Sequence, residues 1–193
     1  MSIGKFYRVC IVWLLCTVLL CPALVSARSS SSGSAQSRDH LTSEEVELVR
    51  GAQVLDARTA VFIKAIERRL MVLTNPDAAS SRQVEKDMKK WGQLPKGTRG
   101  ELLMDIAKIL GEATTNIDDV YARDPKNPLL PKALLMLADA SRRFLSQLKP
   151  MRAQFQGGAE REALEQSIEN AQQILEAADK LPAEEGKGKK TKD

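Results

Sequence analysis

The stretch "QVLDARTAVFIKAIERRLMVL", Gln53 to Leu73, decides how this chain is read. It is apolar on more than one side, yet Asp56, Arg58, Lys64, Glu67, Arg68 and Arg69 are set into it. At 100° per residue one broad stripe holds Leu55, Thr59, Phe62, Ile63, Ile66, Leu70 and Leu73. A second, narrower stripe holds Val54, Val61, Ala65 and Val72. Upstream, Leu48 and Ala52 extend the broad stripe, and Thr42 with Glu45 forms a capping box. The pattern predicts one helix from Thr42 to about Thr74, ending before "NPD", roughly 45–50 Å long at 1.5 Å per residue.

The helices predicted after it are simpler. A short basic segment, Ser80 to Trp91, has Val84, Met88 and Trp91 on one side and is broken by "GQLPKGT". A second capping box, Thr98 with Glu101, opens a helix whose apolar face runs from Leu102 to Tyr121. "RDPKNPLLP" separates it from a helix with Leu134, Leu137, Ala138, Ser141, Phe144, Leu145 and Leu148 on one face, ending near Pro150. After Gly157 and Gly158 the last long helix shows Ala163, Leu164, Ser167, Ile168, Ala171, Ile174 and Ala178. No stretch alternates as a strand would, and no internal repeat points to a solenoid. The expectation is an all-α, up-and-down four-helix-type bundle with one extra short helix. A helix with several apolar faces is buried from several sides, so the long first helix is expected to be the central spine.

The ends of the chain carry other signals. Lys5 and Arg8 precede an apolar run from Val9 to Leu20, and Val25-Ser26-Ala27 is small at the positions that matter. That is the pattern of a signal peptide over residues 1–27, with cleavage after Ala27. The apolar core is about a dozen residues, short of the roughly 20 needed to span a bilayer. Residues 28–40 read as a flexible Ser-rich linker, 41–183 as the helical bundle domain and 184–193 as a disordered charged tail. The expected location is therefore secreted or periplasmic.

All three cysteines, Cys10, Cys16 and Cys21, fall in the signal peptide. The mature chain then has no disulfide, thiolate nucleophile or cysteine metal site. The net charge of +4 comes from the ends, because Leu41 to Ala183 holds 21 basic and 21 acidic residues. A neutral domain poor in aromatics is not built for nucleic acid.

Candidate chemistry is sparse. Arg58, Arg68 and Arg69 with Asp56 and Glu67 could line an anion-binding cleft beside the first helix, since arginine grips carboxylate or phosphate with two hydrogen bonds. The plainer expectation is pairing at the solvent border of a thick helix. Arg82, Lys86, Lys89, Lys90, Lys96 and Arg99, with Trp91 among them, could touch anionic lipid or polymer, or could simply connect helices while Trp91 covers the end of the bundle. Leu135 and Met136 fall off the main apolar face of their helix and mark either a partner patch or a contact with the basic segment.

Glu162, Glu165 and Glu169 lie opposite an apolar face with no histidine beside them, so they are expected to be solvated rather than metal ligands. Asn116, Asp118, Asp119 and Asp124 lack the spacing and glycine of a calcium loop. The one histidine, His40, sits at the linker edge. No nucleophile elbow, phosphate loop or zinc-protease motif occurs, so no catalytic residue, metal or cofactor is expected.

The motifs identify no family. The general plan resembles that of small exported helical proteins such as periplasmic helical chaperones and soluble haem bundles. The signature repeats of the former and the haem ligands of the latter are missing. The reading is an exported, non-enzymatic binding or scaffold protein that works through helix faces. Its expected partner is another envelope or secreted protein, with peripheral membrane contact at most. The alternatives are an enzyme or small-anion binder using the charged cleft, and association with anionic lipid or polymer through residues 82–99 and the tail.

Overall fold

The computed structural model describes residues 39–75, 82–155 and 157–181. The expected signal peptide, most of the expected linker and the expected charged tail lie outside the described residues. Among the described residues six α-helices follow one another: α1 (Ser43–Gly51), α2 (Leu55–Thr74), α3 (Arg82–Trp91), α4 (Arg99–Arg123), α5 (Leu129–Met151) and α6 (Gly158–Asp179). There is no strand among the described residues. Among the described residues, no helix is long and apolar enough to cross a membrane.

The expected all-α bundle is present, and both predicted capping boxes are formed. The Thr42 hydroxyl accepts from the Glu45 backbone N–H while the Glu45 carboxylate accepts from that of Thr42. Thr98 and Glu101 do the same at the start of α4.

The long helices α2, α4, α5 and α6 form the bundle, and their directions follow from named contacts. Arg69, late in α2, meets Asp105, early in α4, so those two run antiparallel. Asp56 pairs with Lys132 and Glu67 with Arg143, so α2 and α5 are parallel. The Ser167 hydroxyl donates to the Leu103 carbonyl and the Asn170 amide to that of Ala107, both at 2.9 Å, so α4 and α6 are parallel. The small side chains of Ala107, Ala163 and Ser167, all buried, allow that close approach.

The spatial order round the bundle is therefore α2, α4, α6, α5, up and down along the chain. The short connection from α4 to α5 crosses the diagonal. Short loops favour adjacent helices, but here the strong packing partner of α4 is α6. The core runs through all four, with Phe62, Ile66, Leu103, Ile106, Leu110, Leu137, Phe144, Leu164 and Ile168 fully enclosed.

The expected first helix is broken. Residues 52–54 interrupt it, with Ala52 at ψ 87° and Val54 extended at φ −95°, ψ 139°. The consequence is large. In one unbroken helix Glu45 and Arg68, 23 residues apart, would lie about 35 Å from each other. The break folds α1 back along α2, and the two side chains meet at 2.9 Å. The several apolar faces of α2 are covered by α1, α4 and α5, as a multi-sided helix requires. α2 shares the role of spine with α4 and α5, which both also pack on α6.

Candidate functional site

The charges of the opening stretch separate into two groups at opposite ends of α2. At its C-terminal end, Arg68 and Arg69 are 3% and 1% exposed and face Glu45, which is 0% exposed. The expectation of a solvent border fails for these two residues, and so does an anion cleft, because the protein supplies the anion itself.

Arg69 grips Glu45 with both ends of its fork, Nη1 to Oε1 at 3.1 Å and Nη2 to Oε2 at 2.9 Å. Arg68 Nη1 adds a third bond to Oε1 at 2.9 Å, and the Thr42 N–H a fourth to Oε2 at 3.0 Å. Asp105 lies 3.5 Å from Arg69 Nε and balances the remaining charge. Burial pulls the pKa of Arg68 below the usual guanidinium range, and the Glu45 carboxylate opposes that shift.

Arg68 also closes the end of α3. It donates to the backbone carbonyls of Trp91, at 2.7 Å, Gly92, at 3.0 Å, and Gln93. The Trp91 carbonyl is one of the acceptors a helix leaves unpaired at its C-terminus, where a cation is also favoured, and those of Gly92 and Gln93 follow directly after it. Gly92 ends α3 at φ +66°, its N–H returning to the Met88 carbonyl at 3.0 Å. Trp91 is buried with the Arg68 guanidinium 5.8 Å from its ring centre. Trp91 thus lies beside Arg68 of α2, while Arg82, Lys86, Lys89, Lys90 and Lys96 stay exposed.

Sequence reasoning missed Glu45 as a partner because its capping role already accounted for it. Asp105 had a visible signal. It stands three residues after Leu102 and four before Ile109, on an apolar face.

The other members scatter. Asp56 pairs with Lys132 on α5, a hydrogen bond that holds its carboxyl below the usual range. Glu67 reaches Arg143 at 3.5 Å, and Lys64 reaches Asp87 at 2.9 Å. Glu165 is paired, not free: Arg152 and Arg161 both contact it at 2.6 Å, and it too is held low, chiefly by Arg152. His40, expected in a loose linker, is tied to Glu112 at 2.8 Å, and its carbonyl accepts from Arg69. Met136 packs against the core and lines a shallow groove with Ala60, Ile63 and Glu67 of α2; Leu135 remains exposed. Among the described residues no group of three or more histidine, cysteine or acidic side chains is placed to hold a metal.

At the N-terminal end of α2 the arginine stands in a different setting. Arg58 lines an open cleft of about 410 Å³ with Gln53, Leu55, Asn116, Arg123 and Asn127, and with Asp124 as the single acid. Arg58 Nε donates to the Ala52 carbonyl and Arg123 Nε to the Asp119 carbonyl, both at 2.9 Å. The backbone thus fixes each guanidinium at its inner nitrogen. The outer nitrogens of both forks have no hydrogen-bond partner among the described residues. The start of α2 borders the same cleft, and Val54 gives it no side-chain cap. Compared with known protein families, curated proteins and solved structures, the chain matches none.

Proposed function

We propose that the protein is an exported binding protein that acts without bond chemistry, and that it takes a small carboxylate- or phosphate-bearing ligand in the cleft between the start of α2 and the end of α4. The observation that carries this reading is the pair Arg58 and Arg123. Each fork is held at Nε by a backbone carbonyl, and its outer N–H groups lie beside a polar cleft. Guanidinium forks suit planar and tetrahedral oxyanions, and a fixed fork loses less freedom on binding than a loose one. The N-terminus of α2, where Val54 provides no side-chain cap and the Asp56 carboxylate holds only the Ala57 N–H, favours negative charge in the same place. The buried cluster round Glu45 is a poor rival, because its groups already satisfy one another. Export is supported by the signal-peptide pattern of residues 1–27.

Calorimetric titration of the full chain with citrate, succinate and inorganic phosphate tests the reading. At least one should bind, and the double variant Arg58→Ala/Arg123→Ala should weaken it at least ten-fold. Arg142→Ala, on the outer face of α5 beside Asp139, should leave it unchanged. Absence of binding by all three anions, or equal binding by the double variant, would overturn the proposal.

A further inference from the structure

A second opening lies on the far side of α4. It is a cavity of about 210 Å³ between α4, α5 and α6, walled by Ile117, Leu134, Leu137, Ile174 and Ala177. Helical spacing puts its α4 residues, Gly111, Thr114 and Asp118, opposite the cleft residues Asn116, Val120 and Arg123. The two openings are separate. An apolar cavity of about 150 Å³ accepts benzene, so this one has room for a ring and a short side arm.

Gly111 gives the cavity its meaning. It sits in mid-α4, where glycine costs about 1 kcal/mol against alanine. Neither backbone nor packing calls for it. Its φ is not positive, and a Cβ added there would meet no atom within 4 Å. What the missing side chain does is widen this cavity.

The mouth has a definite polarity. The Thr114 hydroxyl is committed to the Leu110 carbonyl. Asn170 is committed on both sides, donating to the Ala107 carbonyl and accepting from Gln166. The Gln173 amide nitrogen is bound to Glu169, which leaves its oxygen as an acceptor. Asp118, exposed at the rim, has no ion pair or hydrogen bond among the described residues. The mouth therefore offers a carboxylate and an amide oxygen to an apolar guest. A donor is welcome there and an anion is not.

We propose that this cavity binds a small hydrophobic amine, with its apolar body against Leu134 and Ala177 over the buried Ile117, Leu137 and Ile174, and its ammonium group at Asp118. The site differs from the anion cleft in place and in sign of charge. Apolar burial supplies the affinity, and the exposed ion pair supplies a preference of about five-fold at most over a matched acid.

The probes are 2-phenylethylamine, 3-phenylpropionate and benzene, titrated into the full chain by ligand-observed NMR. The amine should bind saturably and about two- to five-fold tighter than the acid. Gly111→Leu, which fills the cavity, should weaken it at least ten-fold. Gly111→Ala should weaken it less while raising the midpoint of thermal unfolding, so a loss of binding is read in a chain that folds better. Asp118→Asn should remove the preference for amine over acid. Arg58→Ala/Arg123→Ala should change none of this, which keeps the test independent of the anion cleft. Absence of saturable binding by the amine, equal binding of amine and acid, or binding untouched by both Gly111 variants would overturn the proposal.

Discussion

The two ends of α2 carry arginines under opposite conditions. Arg68 and Arg69 are sealed in, and Glu45, Asp105 and five backbone carbonyls engage them. Arg58 is half-buried, fixed by one carbonyl, and faces an open cleft shared with Arg123. The chemistry of the side chain is the same at both ends. What differs is whether the chain brings its own counter-ion. Where it does, the arginine fastens α1 and α3 to α2. Where it does not, the arginine is left to meet something from outside.

The largest effect should come from unsealing the closed end. Glu45→Gln keeps the shape but leaves two buried cations against Asp105 alone. Breaking a buried pair in this way costs about 3–5 kcal/mol. Chemical denaturation should show that loss, and a change under 1 kcal/mol would mean that the cluster is not a clamp.

The next effect probes the carbonyls that Arg68 caps. Gly92→Ala forces a left-handed residue and brings a Cβ within 2.6 Å of the Glu44 side chain. A loss of about 1–2 kcal/mol is expected from the backbone alone, read by the same denaturation curve.

At the open end the balance reverses. Arg58→Ala removes one hydrogen bond, so stability should fall by no more than about 1 kcal/mol, while anion binding is lost. Equal destabilisation at the two ends would erase the distinction between them.

The smallest effect is one of pH. Asp56 and Glu165 are held below the ordinary carboxylate range, by Lys132 and by Arg152 respectively. A depressed folded pKa contributes stability that is full above the unfolded value and fades as pH falls through the folded one. The melting difference between wild type and Asp56→Asn should therefore shrink from pH 7 to pH 3. A difference that grows on acidification would contradict the pairing. Both groups keep partial contact with water, so the change will be slight.

Much of the fold was legible. The caps at Thr42 and Thr98, the apolar faces of α4, α5 and α6, and the breaks at Gly92, Pro128 and Gly157 are local, and local preferences carried through. The site was less so. Arg58 stood among the candidates, but its cleft partners Arg123, at the end of α4, and Asn127, on the turn after it, lie beyond any sequence spacing. Arg68 and Arg69 were seen as charges and misplaced as border residues, because their partner sat on what read as the same helix.

The sequence by itself determined the helices, their caps and the faces they bury, because helical period and end-capping act within a few residues. Only the tertiary structure decided that the first helix breaks at residues 52–54 and turns back on itself. Its apolar stripe runs unbroken through that point, so the pattern carries no sign of the turn. The fold-back is stabilised by ion pairs between residues 23 and 24 positions apart. Such contacts exist only once the chain has folded, and with them comes the difference between an arginine that holds the fold and one free to bind.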